Sequence, residues 1–482
     1  MFDLRPVGFV IGQLFAALGV SMLIPMATDI LYQNGHWHVF LESAIITVLM
    51  GGMVALASAN RSHQGLNIQQ TFLLTVGVWV VLPIAGAVPF ILGATEARVV
   101  DAYFEAMSGM TTTGSTVFSR LENLPRGILL WRSMMQWFGG VGIVVTAMVF
   151  MPELKVGGMQ IFRTESFETE GKILPRAVQI AQRISVVYLL LTTACFVAFL
   201  MAGMNGFQSL NHALTVLSTG GMSTSDASFG AFQGAPEYIA SVFMLLASLP
   251  FVRYVQLLGG NLGTFGRDTQ VRGFAWVAAI SFAIVIIYRM LNEGEAFEPA
   301  FREGIFNVTS VLTGTGFASV DYQLWGPFLV VLFFFMGLIG GCAGSTCCSI
   351  KIFRFQILFS AIKAQIRSIH TPHGMFRTEY NGRPISPDIL SSVTAFFLFF
   401  IFSLGLLSVL LGLTGLDFIT SVSGAATAVA NIGPGLGDII GPAGNFSPLN
   451  DTAKWLLCVG MLLGRLEMLT VFALLSPYFW KD

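Results

Sequence analysis

Charge is what this 482-residue sequence has least of. Asp, Glu, Lys and Arg make up 11% of it, where a soluble chain carries about 25%. With 54% apolar residues and a mean hydropathy of +0.74, a soluble globular fold is excluded. No polar stretch is long enough for a separate soluble domain. Cysteine is scarce too: Cys195, Cys342, Cys347, Cys348 and Cys458 all sit in apolar or glycine-rich segments, which excludes a disulfide framework. The cluster "CAGSTCC" has no His or carboxylate within ten residues, so it lacks the partners of a soft-metal site. Of six histidines, five (His36, His38, His63, His370, His373) fall in connections, and His212 stands alone. No nucleophile–base set follows from them, and a membrane enzyme is the least supported class. Neither GxxxxGK[ST] nor a GxGxxG fingerprint occurs, so the chain offers no nucleotide site of its own. The net charge of −1 identifies no partner.

What is present is apolar sequence of membrane-crossing length, about 20 residues at a time. Spans are expected near 7–31, 39–58, 71–92, 127–151, 181–203, 236–258, 274–292, 326–352, 389–413 and 453–477. The start carries only Arg5 as a positive flank and stays apolar to about Leu31, which reads as a retained helix rather than a cleaved signal. Basic residues concentrate in the connections after even-numbered spans: Arg61; Lys155, Arg163, Lys172 and Arg176; Arg267 and Arg272; Arg354, Lys363, Arg367, Arg377 and Arg383. Arg98, Arg120, Arg302 and Lys454 lie on the other side among many acids, including Glu96, Asp101, Glu122, Asp226, Glu237, Asp321 and Asp451. The positive-inside rule then places both termini in the cytoplasm. The acids read singly as solvated loop residues; as a set they would concentrate cations at an outer mouth.

Four outer stretches resemble one another: "YFEAMSGMTTTGSTVFS" (103–119), "LNHALTVLSTGGMSTSD" (210–226), "IFNVTSVLTGTGFASVD" (305–321) and "SVSGAATAVANIGPGLGD" (421–438). Each has about two turns of helix-compatible residues, a Thr/Asn/Gly run and a polar exit. Their terminal glycines, Gly114, Gly221, Gly316 and Gly433, are spaced by 107, 95 and 117 residues. Four unrelated turns of this composition on one side are hard to obtain by chance. A dehydrated cation needs backbone carbonyls in place of its water shell. Glycine tolerates the dihedrals that this requires, and irregular backbone survives at membrane depth only around a wet path or inside protein. Short helices ending at the loops turn partly negative C-termini toward a cation. The expected cation ligands are Thr112, Thr113 and Gly114; Thr219, Gly220 and Gly221; Gly314, Thr315 and Gly316; and Asn431, Ile432 and Gly433.

With these loops, and with "RSMMQWFGGVGIVV" (132–145), "PELKVGGMQIFRTES" (152–166), "ASLPFVRY" (247–254) and "NIGPGLG" (431–437), the chain resembles Trk-type potassium uptake proteins of the Trk/Ktr/HKT superfamily over essentially its whole length. The resemblance implies an all-α membrane protein with about ten spans and one pseudo-tetrameric pore. The expected divisions are an N-terminal helix pair (1–66) and four pore units (67–165, 166–270, 271–385, 386–482). It also implies a homodimer with a cytoplasmic nucleotide-binding regulatory subunit of the TrkA type, docking on the basic 153–180 and 354–388 connections, in a bacterial inner membrane. The fourth loop departs most: Asn431-Ile432-Gly433-Pro434-Gly435 has no threonine and adds a proline. None of the four carries the second glycine of a TVGYG filter, which implies a shorter filter.

The eighth span contains "MGLIGGCAGSTCCSIK" (336–351). Such a run is a poor helix, since each Gly costs about 1 kcal/mol against Ala. It reads either as close helix packing through small residues or as a break obstructing the path. The family's gating loop falls at the matching position, on Gly340, Gly341, Ala343 and Gly344. Arg465 and Glu467 read as mid-span charges, which face a cavity or a partner; two apart on a helix, they do not face each other. In the family an arginine at the position of Arg465 helps form the barrier. Lys351 reads as an inner-interface lysine, with a gate charge as the alternative. The expectation is therefore potassium uptake through a channel-like pore, with potassium both transported and bound in the filter. The alternative is a sodium- or proton-coupled symporter, though such folds use inverted repeats and these loops all face one way.

Overall fold

The computed structural model describes residues 3–60, 66–149, 159, 173–260 and 263–480. Arg61, Lys155, Arg163, Lys172 and most of the 153–180 connection lie outside the described residues. The chain opens with α1 (Arg5–Ser21) continued by α2 (Leu23–Leu31), and α3 (Trp37–Ala57) packs against them. Glycines explain the closeness of this pair. A Cβ on Gly12 would meet Ala55 N at 2.6 Å and Gly51 O at 2.7 Å, and one on Gly51 would meet Ala16 N at 2.6 Å. Small residues at a crossing let backbones approach where lipid gives no hydrophobic drive.

Four units follow, each a long helix, a short helix, a loop and another helix. The first is α4 (Ile68–Leu92), α5 (Val99–Met110) and α6 (Arg126–Val149). The second is α7 (Ile173–Met201), α8 (Gly206–Leu217), α9 (Ala235–Ala247) and α10 (Phe251–Leu258). The third is α11 (Thr269–Tyr288), α12 (Phe297–Leu312), α13 (Pro327–Gly337) and α14 (Ile352–His370). The fourth is α15 (Pro387–Leu413), α16 (Phe418–Ala430), α17 (Asp451–Arg465) and α18 (Met468–Leu475). The short helices run 12, 12, 16 and 13 residues, longer than the two turns expected. Their last turns are buried on every side.

Among the described residues, seven helices are long and apolar enough to cross a membrane, or nine if each of two bent pairs counts as one span. The eighth expected span, 326–352, is not one helix: α13 ends at Gly337 and α14 begins at Ile352. Spans six and ten, each read from the sequence as one helix, are both broken. The α9–α10 pair bends by 89° and the α17–α18 pair by 114°. Pro250 causes the first bend: it caps α10 at φ −65°, ψ 120° and disfavours helix at the residue before it. At the second, Leu466 leaves the helix at φ −91°, ψ 157°. The all-α expectation holds except for a hairpin pairing Glu379–Tyr380 with Arg383–Pro384. It turns on Asn381 and Gly382, both at positive φ, the dihedral signature of a tight hairpin turn.

Candidate functional site

The four short helices end in the same way. In three, the residue past the C-cap takes a left-handed conformation, Thr112 (φ 53°), Thr219 (φ 49°) and Gly314 (φ 73°); in the fourth the C-cap itself, Asn431 (φ 53°), does so. Each then repeats one bond across the helix end. The N–H of Thr113, Gly220, Thr315 and Ile432 donates to the carbonyl five residues back, at 2.9, 2.9, 2.8 and 2.9 Å. This closes each helix as a Schellman motif and aims the chain out of it in one stereotyped direction. A β-branched residue in that region is strained, so Thr112 and Thr219 hold conformations that only the surrounding packing enforces.

The chain then reaches the ring glycines. Gly114, Gly221 and Gly316 lie at φ 88°, 78° and 84°; Gly433 does not reach positive φ, which sets the fourth loop apart. A Cβ on Gly114 would collide with Gly220 O, and one on Gly221 with Thr315 O. On Gly316 it would meet Gly433 N at 2.5 Å, and on Gly433 it would lie 3.3 Å from Gly114 O. Each loop thus abuts the next, and the fourth returns to the first, closing a four-membered ring. All four glycines line one outer cavity of about 190 Å³. Two of the expected ligand carbonyls are engaged sideways: Gln136 Nε2 donates to Gly220 O at 2.5 Å and Ser115 Oγ to Gly433 O at 2.8 Å. A carbonyl has two lone pairs, so each keeps one.

Beneath the ring lies the broken eighth span, with 340–350 wholly buried. Its backbone groups are satisfied by the neighbouring break. Cys342 N donates to Ser248 O at 3.0 Å, Phe251 N to Gly344 O at 2.9 Å, and Ala343 N to Gln270 Oε1 at 2.9 Å. Two interrupted helices therefore exchange the hydrogen bonds that each lost, as a non-helical segment at membrane depth requires. The loop touches the ring from below. Thr219 Oγ1 donates to Thr346 Oγ1 at 3.2 Å, Ser349 Oγ to Ala430 O at 3.1 Å, and Cys348 N lies 4.0 Å from the Cβ position of Gly314. Gly340 is obligatory, because a Cβ there would strike Cys348 O.

Arg465 was expected mid-span; it is the last residue of α17, and the break after it frees its side chain to reach the loop. Buried at 3% exposure, it donates through Nη1 to Cys348 Sγ (2.7 Å) and through Nη2 to Gly139 O (2.7 Å), with the Trp79 ring 5.3 Å away. None of these partners is a carboxylate, and Nε has no hydrogen-bond partner. Glu467 belongs elsewhere: it pairs with Arg354, which stacks on Phe396 at 3.6 Å. Lys351 does not extend to an inner interface. Its Nζ turns back onto Cys347 O, and it lines, with Arg354 and Arg465, a cavity of about 40 Å³ under the loop.

A family model, TrkH, described as a cation transport protein, matches residues 36–261 and 267–480. This chain belongs to the TrkH family. It is similar to the Trk system potassium uptake protein TrkI of Halomonas elongata, at 42% identity over 99% of this chain and 97% of that protein. The Trk system potassium uptake protein TrkH of Vibrio parahaemolyticus is 34% identical over 98% of both chains. The crystal structure of the potassium transporter TrkH from Vibrio parahaemolyticus matches with a TM-score of 0.92 and 32% identity, covering 100% of each chain. The TrkH family comprises membrane transport proteins, not enzymes.

In this TrkH-family chain the twelve sequence-derived loop residues come together in and under one ring. The side chains that hold them were not identified from sequence. Glu105 and Arg132 form a buried pair at 2.7 Å, exposed 0% and 1%. Gln136 also accepts from Met222 N at 3.1 Å, and Asn431 Nδ2 joins Thr113 Oγ1 (3.0 Å) to Met461 O (2.9 Å). Glu105 and Arg132 had a signal: each is a lone charge in apolar sequence, which marks a paired, functional position in a membrane protein. Glu122 and Asp226, expected as solvated mouth acids, are exposed and also brace the exits of loops one and two. Glu122 accepts from Ser225 Oγ and Asp226 N, and Asp226 from Arg120 N and Leu121 N.

Proposed function

We propose that this chain takes up potassium through one pore, with the glycine ring as selectivity filter and the 340–350 segment with Arg465 as its barrier. The observation that carries the reading is that three features adjoin in sequence. An outer cavity meets a closed ring of four glycine loops, and in contact with the ring a buried loop holds a guanidinium with no carboxylate partner among the described residues. The names of the relatives, potassium uptake proteins and a potassium transporter, supply the ion. Filter loops on one side suit a pore better than an inverted-repeat carrier. A homodimer in a bacterial inner membrane, with cytoplasmic termini and a TrkA-type regulatory subunit on the 354–388 face, belongs to the same proposal.

The barrier has a physical basis. Two unit charges 4 Å apart interact by about 4 kcal/mol at an effective dielectric of 20, so a fixed guanidinium opposes a potassium ion leaving the filter. The test is flux from liposomes containing the purified protein under a potassium gradient, comparing potassium, rubidium, caesium and sodium. Potassium and rubidium should pass best. A protein that passes no potassium overturns the reading. A reversal potential that follows sodium or pH at constant potassium replaces it with coupled symport.

A further inference from the structure

Counting back from each ring glycine uncovers a second pattern, outside the loops. Nine residues before Gly114, Gly221 and Gly316 stand Glu105, His212 and Asn307, each on the short helix behind its loop. All three are fully buried, and all three reach forward to the residue two or three past the glycine. Glu105 accepts from Val117 N at 2.9 Å and Thr116 Oγ1 at 3.0 Å. His212 Nε2 bonds Ser223 Oγ at 3.0 Å. Asn307 donates to Ser319 Oγ at 3.0 Å and accepts from Ser319 N at 3.2 Å. The fourth unit has Gly424 at that position, and the preceding Ser423 takes over, accepting from Leu436 N at 2.9 Å.

Every loop is therefore strapped to its own helix on the outer side of the ring glycine. The straps differ in kind. The first alone is ionic, and Arg132 extends it by donating to Ser223 O at 3.0 Å, the residue that His212 also holds. The straps of loops one and two are thus joined into one network, while those of loops three and four reach only their own loops. We propose that these side chains are positioning residues that set the outer ring's width, and that the Glu105–Arg132 pair is the specificity-determining one among them. The inference rests on the reading of the ring as a potassium filter. It follows from how such a filter discriminates: the number and placement of its carbonyls matter, and a loop free to relax around a smaller ion loses its preference. An ion pair sealed from water holds geometry that a neutral bond would not, since separating the charges there is costly.

Three variants test it in liposomes, read as the potassium-to-sodium permeability ratio. Glu105→Gln keeps the shape and can still accept from Arg132, but its amide then faces the Val117 N–H and the strap opens. Ser423→Ala removes the fourth strap by deleting one hydroxyl, a change small enough to fold even where Glu105→Gln does not. Ser421→Ala is the control: it deletes a hydroxyl on the same helix that bonds Leu416 O rather than the loop. The ratio should fall by about three- to tenfold for Glu105→Gln and less for Ser423→Ala, the range that one hydrogen bond's net contribution spans, with total flux retained. Ser421→Ala should match the parent. An unchanged ratio in folded Glu105→Gln, or in Ser423→Ala where the first does not fold, overturns the inference and leaves the filter reading intact. An equal fall in Ser421→Ala also overturns it, because the effect is then general destabilisation. A parent that passes no potassium overturns the filter reading and this inference with it.

Discussion

At the scale of single residues, Arg465 and Gly316 carry the sharpest expectations. Arg465 gives its hydrogen bonds to a thiol and to carbonyls, so its removal strands no buried carboxylate, the usual reason such a deletion unfolds a protein. Arg465→Ala should therefore fold and raise basal potassium flux about tenfold, equivalent to a barrier lowered by about 1.4 kcal/mol, while Arg465→Lys keeps most of the barrier. Flux normalised to folded protein decides, and a decrease in the alanine variant would falsify the gate role. Gly316 is tight on two counts: its φ of 84° and the 2.5 Å approach of Gly433 N to any Cβ. Gly316→Ser should lower the potassium-to-sodium ratio. Gly314→Ala supplies the contrast, because at φ 73° it is strained yet meets nothing closer than 3.7 Å. Its effect on the ratio should be the smaller of the two, as measured by bi-ionic reversal potentials.

Among elements, the interrupted helices hold most of the interest. Glycine content made a break in the eighth span foreseeable, because a helix so rich in Gly is weak. The break in the sixth has only Pro250 as a sign, and the one after Arg465 has no sign in local sequence. What stabilises them is mutual: 342–346 and 247–251 satisfy each other's freed backbone groups. Deleting 343–345 should then have two effects at once. Potassium flux without the regulatory subunit should rise, since the obstruction shortens. The thermal midpoint in detergent should fall, since Gly344 O no longer accepts from Phe251 N. Reduced flux in a folded deletion variant would show the segment to be a support rather than a plug.

At the scale of the whole molecule, polar contacts join the N-terminal helix pair to the four units. Asp29, fully buried, accepts from Gly127 N at 2.6 Å and Asn34 Nδ2 at 2.7 Å, and bonds His36 Nδ1 at 3.0 Å. His36 Nε2 in turn accepts from Ala94 N at 3.0 Å. One carboxylate thus ties α2 to the start of α6 and, through His36, to the end of α4. Asp29→Ala leaves the Gly127 N–H unsatisfied, a cost of about 1–3 kcal/mol. The thermal midpoint should drop while the potassium-to-sodium ratio stays at the parent value, because no ring residue moves. A changed ratio would mean that the pair also shapes the filter.

Apolar length, the loss of charge and four spaced Thr/Gly runs were properties of the sequence alone, and they determined a membrane protein with four similar loops. Periodicity and composition report such features directly because each is local, within about 20 residues. The order in which the loops meet was not local. That Gly114 abuts Gly220, and Gly433 returns to Gly114, comes from contacts between residues a hundred or more positions apart. The same holds for the straps: Glu105 and Arg132 were visible as lone charges, but only the packing of α5 against α6 made them one pair. Arg465 looked like a charge in mid-helix until the chain bent after it, and its neutral partners come from Cys348 and Gly139 on other units. Local sequence decides which segments cannot be ordinary helix; tertiary packing decides where they go, because their unsatisfied backbone groups must find partners on one another.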